Sequence, residues 1–211
     1  MIVQGQVGPA SSTSSLSAGT QPALRLGSMG ALITSDLHGA HYEAAYRRSL
    51  FAVANQAVTT TTVGLATTYT GLCISNPVGS SLLVVLTRVG YSFTVAFPAA
   101  AVVGLMVGYN SSTNVTHTTP VTPRSQYFGA GASPVALCDV AATLPTAPFL
   151  NSVFTGGTTG AITTSVTNGA NMHELDGSLI LPPGAYAAIY TSTVSGTSGF
   201  AGSFLWEEVP I

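Results

Sequence analysis

Lysine is missing from this chain altogether. Its positive charges are five arginines, Arg25, Arg47, Arg48, Arg88 and Arg124, set against seven acids for a net charge of −2. Charged residues make up 6 % of the sequence, where soluble domains carry about 25 %. No two arginines are adjacent except Arg47 and Arg48. A grip on a phosphate backbone needs a basic stripe, so nucleic acid is not expected as a partner. Cysteine is scarce too: Cys73 and Cys138 form no CxxC and sit in the apolar settings Gly-Leu-Cys-Ile and Ala-Leu-Cys-Asp. Two buried free thiols are the favoured reading, with a disulfide or a zinc site as alternatives. Trp206 is the lone tryptophan and aromatics are 8 %, few for a surface that stacks sugars.

Runs apolar enough to be checked as a membrane span are scarce, and one segment qualifies. Met1 to Gly8 has no basic stretch ahead of an apolar core, so no signal peptide is expected. Val89 to Tyr109 is free of charge and long enough to cross a bilayer. It also contains Ser92, Thr94, Pro98, Gly104 and Gly108, and two buried strands broken at Phe97-Pro98 explain it better. No membrane partner is expected.

Catalytic motifs are missing as well. There is no G-x-S-x-G and no glycine-rich loop followed by lysine. Asp36, His38, His41 and Glu43 carry metal-ligating side chains, but the histidines are three apart, whereas a zincin helix needs four. A polar subunit contact or a capped helix start accounts for them. His173, Glu174 and Asp176 form a second cluster, for which Asp176-Gly177 is ordinary turn chemistry. Glu207 and Glu208 are neighbours on a strand and so point to opposite faces. They are poor partners for glycoside hydrolysis, and a solvated strand end is expected. The chain is read as a non-enzyme with no catalytic residue, metal, cofactor or small-molecule substrate.

What is present is apolar and β-prone. Apolar residues reach 46 %, enough for a full core and the reverse of a disordered composition. The polar surface is built from Thr, Ser, Asn and Gly. A lone soluble monomer normally keeps charge for solubility, so this exterior is expected to be covered by partners or by copies of the chain. A low-charge secreted or bacterial protein is the plainer alternative.

The clearest pattern runs from Leu179 to Pro210. Tyr186, Ala188 and Tyr190 share one face of a strand, and Phe200, Gly202, Phe204 and Trp206 share one face of another. Pro182-Pro183-Gly184 turns the chain into the first, and a Ser/Gly/Thr loop joins the two as a hairpin. Upstream, Leu82–Val95 and Ala101–Tyr109 read as central strands, with Asn76-Pro77-Val78-Gly79 as a turn before them. Val135–Val140 and Ser152–Val166 return to strand character, and Asn168-Gly169 is a turn signal.

Residues 1–22 read as an arm and 23–34 as a short hairpin. Tyr42, Ala45, Tyr46, Ser49, Leu50 and Val53 follow helical spacing, and Glu43 precedes Arg47 by four. The spacing predicts a helix over 40–54, with an extended connector as the alternative. Residues 110–135 form a long polar excursion expected on the outer surface. The reading is all-β: a β-sandwich over 23–211, with an N-terminal arm over 1–22 and at most one short helix.

Three stretches carry a resemblance. They are Asp36-Leu-His-Gly-Ala-His-Tyr-Glu-Ala-Ala-Tyr-Arg-Arg-Ser-Leu-Phe, Gly71-Leu-Cys-Ile-Ser-Asn-Pro-Val-Gly-Ser, and Leu181-Pro-Pro-Gly-Ala-Tyr with Phe204-Leu-Trp-Glu-Glu-Val-Pro. Together they resemble a family of structural proteins encoded by tailed bacteriophages, over most of the chain beyond the arm. The resemblance implies a non-enzymatic jelly-roll β-sandwich that works as an oligomer in the virion, assembled in the bacterial cytoplasm. The expected role is a capsid decoration, or cement, protein. Its expected partners are the major capsid protein and copies of itself, as a homotrimer. His38, His41, Tyr42, Tyr46, Arg47 and Arg48 are the expected subunit-interface residues, since Tyr and Arg are over-represented in interfaces. A tail or fibre-base component, or a receptor-binding adhesin using 110–135, is the alternative. A sugar-active enzyme or lectin on a jelly roll is the third.

Overall fold

The computed structural model describes residues 5–6, 24–25, 39–129, 131–157 and 171–211. The chain divides into two units, Met1–Ala40 and His41–Ile211. In the first, β1 (Gly5–Gln6) pairs in parallel with β2 (Leu24–Arg25). The rest of the expected arm, the turn at Gly27–Gly30, Asp36, His38 and the Asn168-Gly169 turn lie outside the described residues.

The second unit opens with α1 (Tyr42–Tyr46) and continues through β3 (Leu50–Ala54), β4 (Thr68–Ser75), β5 (Leu82–Phe93) and β6 (Ala101–Tyr109). The short β7 (Thr116–His117), β8 (Pro120–Val121) and β9 (Arg124–Ser125) follow, then β10 (Leu137–Thr143), β11 (Phe149–Gly157), β12 (Asn171–Leu181), β13 (Ala185–Thr191) and β14 (Phe200–Pro210). One sheet runs β12-β5-β14-β3-β9. The other runs β11-β6-β13-β4-β10, with β7 and β8 both on its β10 edge.

With β7–β10 set aside, the antiparallel pairs nest: β6 with β11, β5 with β12, β4 with β13, β3 with β14. This is one long hairpin whose tip lies between β6 and β11. It is rolled until β5 meets β14 and β6 meets β13. The sheets it leaves, β3-β14-β5-β12 and β4-β13-β6-β11, have the strand order of an eight-stranded jelly roll. The all-β sandwich expected from composition is the fold.

The main core lies between the sheets and holds Phe51, Leu72, Val89, Leu105, Ile189, Phe204 and Trp206. Alternation along β14 is strict, with Phe200, Gly202, Phe204, Trp206 and Glu208 all buried. A second cluster covers the far face of the larger sheet: Tyr69, Cys73, Met106, Leu144, Tyr186 and Ala188. β13 is therefore buried on both faces, which is why its sequence is apolar at nearly every position. Tyr186 lies across from Gly108, and its ring fills the space a Cβ at Gly108 would need. Its hydroxyl donates to the Thr146 carbonyl at 2.6 Å.

Four expectations need correcting. The two C-terminal strands do not form a hairpin. β13 has β4 and β6 on its edges and β14 has β3 and β5, so each lies in a different sheet and the Ser/Gly/Thr loop crosses the sandwich. The Tyr186 face consequently packs in the outer cluster and not against the second sheet.

The helix over 40–54 stops at Tyr46. The Arg48 N–H donates to Ala45 O and the Ser49 N–H to Ala44 O, each at 3.0 Å, with Arg48 at φ +64. That is a Schellman ending with arginine in the left-handed position glycine usually takes. From Leu50 the chain is strand, because Leu50, Phe51 and Val53 bury better in a sheet edge than on an isolated turn of helix.

The 110–135 excursion is not a free surface loop. β7 and β8 add to β10, β9 adds to β3, and Val115, Val121 and Ser125 are buried. It therefore runs from the edge of one sheet to the edge of the other. Finally, Glu208 is not a solvated strand end. Its carboxylate accepts the Val135 and Ala136 N–H groups at 2.9 Å and the Trp206 indole N–H at 3.3 Å. Alternation does put Glu207 on the other face, where it accepts the Ser49 hydroxyl at 3.1 Å.

Cys73 and Cys138 are both free and buried. They lie on neighbouring strands but on opposite faces of the sheet, Cys138 in the inter-sheet core and Cys73 in the outer cluster. Side chains pointing apart cannot be bridged without moving backbone. Burial pushes both thiols well above the ordinary cysteine value, which keeps them protonated and unreactive. Among the described residues no helix is long and apolar enough to cross a membrane. The uncharged run Val89–Tyr109 is the end of β5 and all of β6.

Candidate functional site

The Schellman ending of α1 does more than stop a helix. It throws Arg48 sideways at the point where the chain enters β3. β9 docks there: Phe51 pairs with Ser125, Ala52 with Arg124, and the Gln126 N–H donates to Leu50 O at 2.9 Å. Tyr127 follows directly and meets α1. Its ring packs edge-on against Tyr46 at 6.3 Å between centroids, and the Arg48 guanidinium lies over it at 5.7 Å. Tyr42 and Tyr46, one helical turn apart, stack at 6.0 Å. Beyond them Phe128 projects with 91 % of its surface exposed. Beside it opens a cavity of about 400 Å³ lined by Arg124, Ser125, Tyr127, Phe128 and Ala132. On its other side Arg124 also reaches a groove of about 490 Å³ beside Val58, Thr119 and Val121.

Of the expected interface residues, the structure brings Tyr42, Tyr46 and Arg48 into one exposed cluster. Arg47 points beside it and pairs with Glu43 at 3.5 Å, both largely in solvent. Such a pair contributes little on its own. His41 sits at the start of α1 and makes no side-chain cap. Tyr127, Phe128 and Arg124 were missed. The available signal was two adjacent aromatics in an otherwise small, polar loop.

Charge is distributed unevenly. Glu174 holds Arg88 at 2.6 Å on the outer face of the smaller sheet. Asp139 and Glu208 are buried. Among the described residues, Arg48 and Arg124 have no carboxylate partner.

A second constellation lies on the larger sheet. Ser75 Oγ and His117 Nε2 share a hydrogen bond at 3.1 Å, and His117 Nδ1 stands 3.5 Å from Asp139 Oδ2. Serine, imidazole and carboxylate thus follow the order of a nucleophile, base and orienting acid. The geometry is that of a clasp. Ser75 is 4 % exposed, and its oxygen also faces Leu137 O at 3.5 Å. His117 Nδ1 is buried without a well-formed hydrogen bond. The Asp139 carboxylate is engaged elsewhere: at a bulge in β10 it accepts the Thr119 N–H at 3.0 Å and the Ala141 N–H. Neither cavity described above is lined by Ser75 or His117. What the cluster does is pin β7 and β8 to β10. Burial pushes the His117 imidazole below its ordinary value, more strongly than Asp139 raises it.

No protein-family model matches the chain, and no curated protein is significantly similar to it. Among solved structures, the "KBV activated particle at acidic pH" is similar at 12 % identity and a TM-score of 0.23, over 100 % of this chain and 88 % of that one. A likeness at that level says nothing of function.

Proposed function

We propose that this chain is a bacteriophage virion structural protein, a capsid decoration or cement protein that braces the head lattice. The observation that carries the reading is the jelly-roll sandwich itself, a body built with almost no surface charge. Jelly rolls recur in viral capsids, though also in lectins and cupins, and fold alone does not fix function. The tyrosine–arginine cluster at α1 and β9 is the surface through which it meets a partner, by burial of aromatic area with no bond made or broken. The Ser75–His117–Asp139 clasp serves the fold and has no turnover assigned to it.

Copy number in purified particles tests this. Hundreds of copies on the head, resolved in a particle reconstruction, are expected. A chain missing from the particle overturns the reading. A handful of copies at the tail favours the second reading, a tail component or adhesin. Phe128 and its cavity, standing out on the excursion beside α1, are the observation that favours it.

A further inference from the structure

We infer that the cluster of Tyr42, Tyr46, Tyr127 and Phe128, with Arg48 and Arg124, docks a carboxylate-bearing segment of a different polypeptide. This rests on reading the cluster as a docking surface and adds the chemistry of its occupant.

Charge selects that occupant. The chain has five arginines and a net charge of −2, yet Arg47, Arg48 and Arg124 all stand at this cluster. The one carboxylate on α1, Glu43, is already beside Arg47. A second copy docked on the same surface brings the same patch, in which Arg47, Arg48 and Arg124 outnumber the one carboxylate, Glu43. Like charges facing each other are the repulsive element that rejects a partner. An acidic segment instead meets two guanidiniums that have no carboxylate partner among the described residues, and arginine binds carboxylates through paired hydrogen bonds.

Shape selects a polypeptide over a sugar. A sugar platform is a flat array of rings, and here Tyr46 and Tyr127 meet edge-on at 75°. Tyr42 and Tyr46 lie against each other, and Arg48 lies over Tyr127. Phe128 is a projecting knob beside a cavity of about 400 Å³, which suits a partner that has a pocket for the ring and a side chain for the cavity. Tyr, Arg and other aromatics are also the residues that dominate binding at protein interfaces.

The backbone at Arg48 points the same way. Glycine relaxes the left-handed position at φ +64, and arginine strains it. Strain of this kind persists where the side chain has a use.

The test titrates purified full-length protein into fluorescein-labelled oligoglutamate and follows anisotropy. Saturable binding that weakens with added salt is expected, with none to oligolysine. Arg48→Gly and Arg124→Gln should each weaken it roughly tenfold, while Arg88→Gln, whose arginine is paired on the outer face of the smaller sheet, leaves it unchanged. Arg48→Gly relieves backbone strain, so a loss there is not a loss of fold. No binding of oligoglutamate overturns the inference, and so does binding that Arg48→Gly and Arg124→Gln leave intact. Tighter binding of oligogalacturonate overturns it in favour of a carbohydrate surface. A concentration-dependent dimer dispersed by Phe128→Ser overturns it in favour of a second copy. The count of copies in the particle is independent of all these outcomes, so either idea can fail alone.

Discussion

Arg48 holds two roles that pull against each other. At the end of α1 its backbone wants glycine, while over Tyr127 its guanidinium is the cap of an aromatic cluster. Arg48→Gly is therefore expected to raise unfolding free energy by about 0.5–1 kcal/mol in urea denaturation, even as it strips the docking surface of a charge. Glu208 has no such conflict. It satisfies two backbone N–H groups and the Trp206 indole, and its removal leaves two buried donors, the Ala136 N–H and the indole, and the part-buried Val135 N–H unpaired. Glu208→Ala should cost about 3 kcal/mol, and Glu208→Gln, which keeps one acceptor oxygen, clearly less. Equal losses from the two variants would contradict this, since the one oxygen that Gln keeps would then satisfy none of the donors. The inward faces at this scale were readable from spacing: Phe200, Phe204 and Trp206 were placed together by period two and are buried together. Glu208 falls on the same period, but a carboxylate near a chain end looks solvated until its donors come from the distant residues Val135 and Ala136.

Among the elements, strands were easier to read than their neighbours. β5 and β6 lie close to their expected ranges because both are long, apolar-rich runs bounded by turn signals. The segment 40–54 could not be resolved, since Leu50 and Val53 fit a helix and Phe51 and Val53 fit a strand. Only the pairing of β3 with β14 decides it. The excursion after β6 misled for a similar reason. Its short strands are polar and gain their structure from contacts far away in sequence, notably the Ser75–His117–Asp139 clasp. That clasp makes a prediction about pH. The folded state depresses the His117 value, so the neutral ring is the one the fold prefers. Its contribution is present above the unfolded value of 6.5 and is lost as pH falls below it. Stability should therefore decline on acidification from about pH 6.5 downward, and His117→Gln should flatten that part of the curve. Thermal melts of the two proteins across this range measure it. A wild-type melting temperature that rises on acidification would contradict the assignment.

At the scale of the molecule, the nested pairing explains why sequence reading assigned the class correctly but joined the last two strands wrongly. Local pattern shows which residues face inward. It does not show that β13 belongs with β4 and β6 while β14, a few residues on, belongs with β3 and β5. Those partners are separated by most of the chain, and such distant pairings also make sandwiches of this kind slow to fold.

The same nesting brings the body's two ends together. Leu50, at the start of β3, stands opposite Glu207, near the end of β14, and the Glu208 N–H donates to Ser49 O at 2.9 Å. Residues 41–211 are thus topologically a closed loop cut at one point, and the position of the cut is arbitrary for the sandwich. Splicing Ile211 to His41 through a short flexible linker, with new ends between the exposed Ser111 and Ser112, should give a circular permutant with the same cooperative melt, because no strand is interrupted.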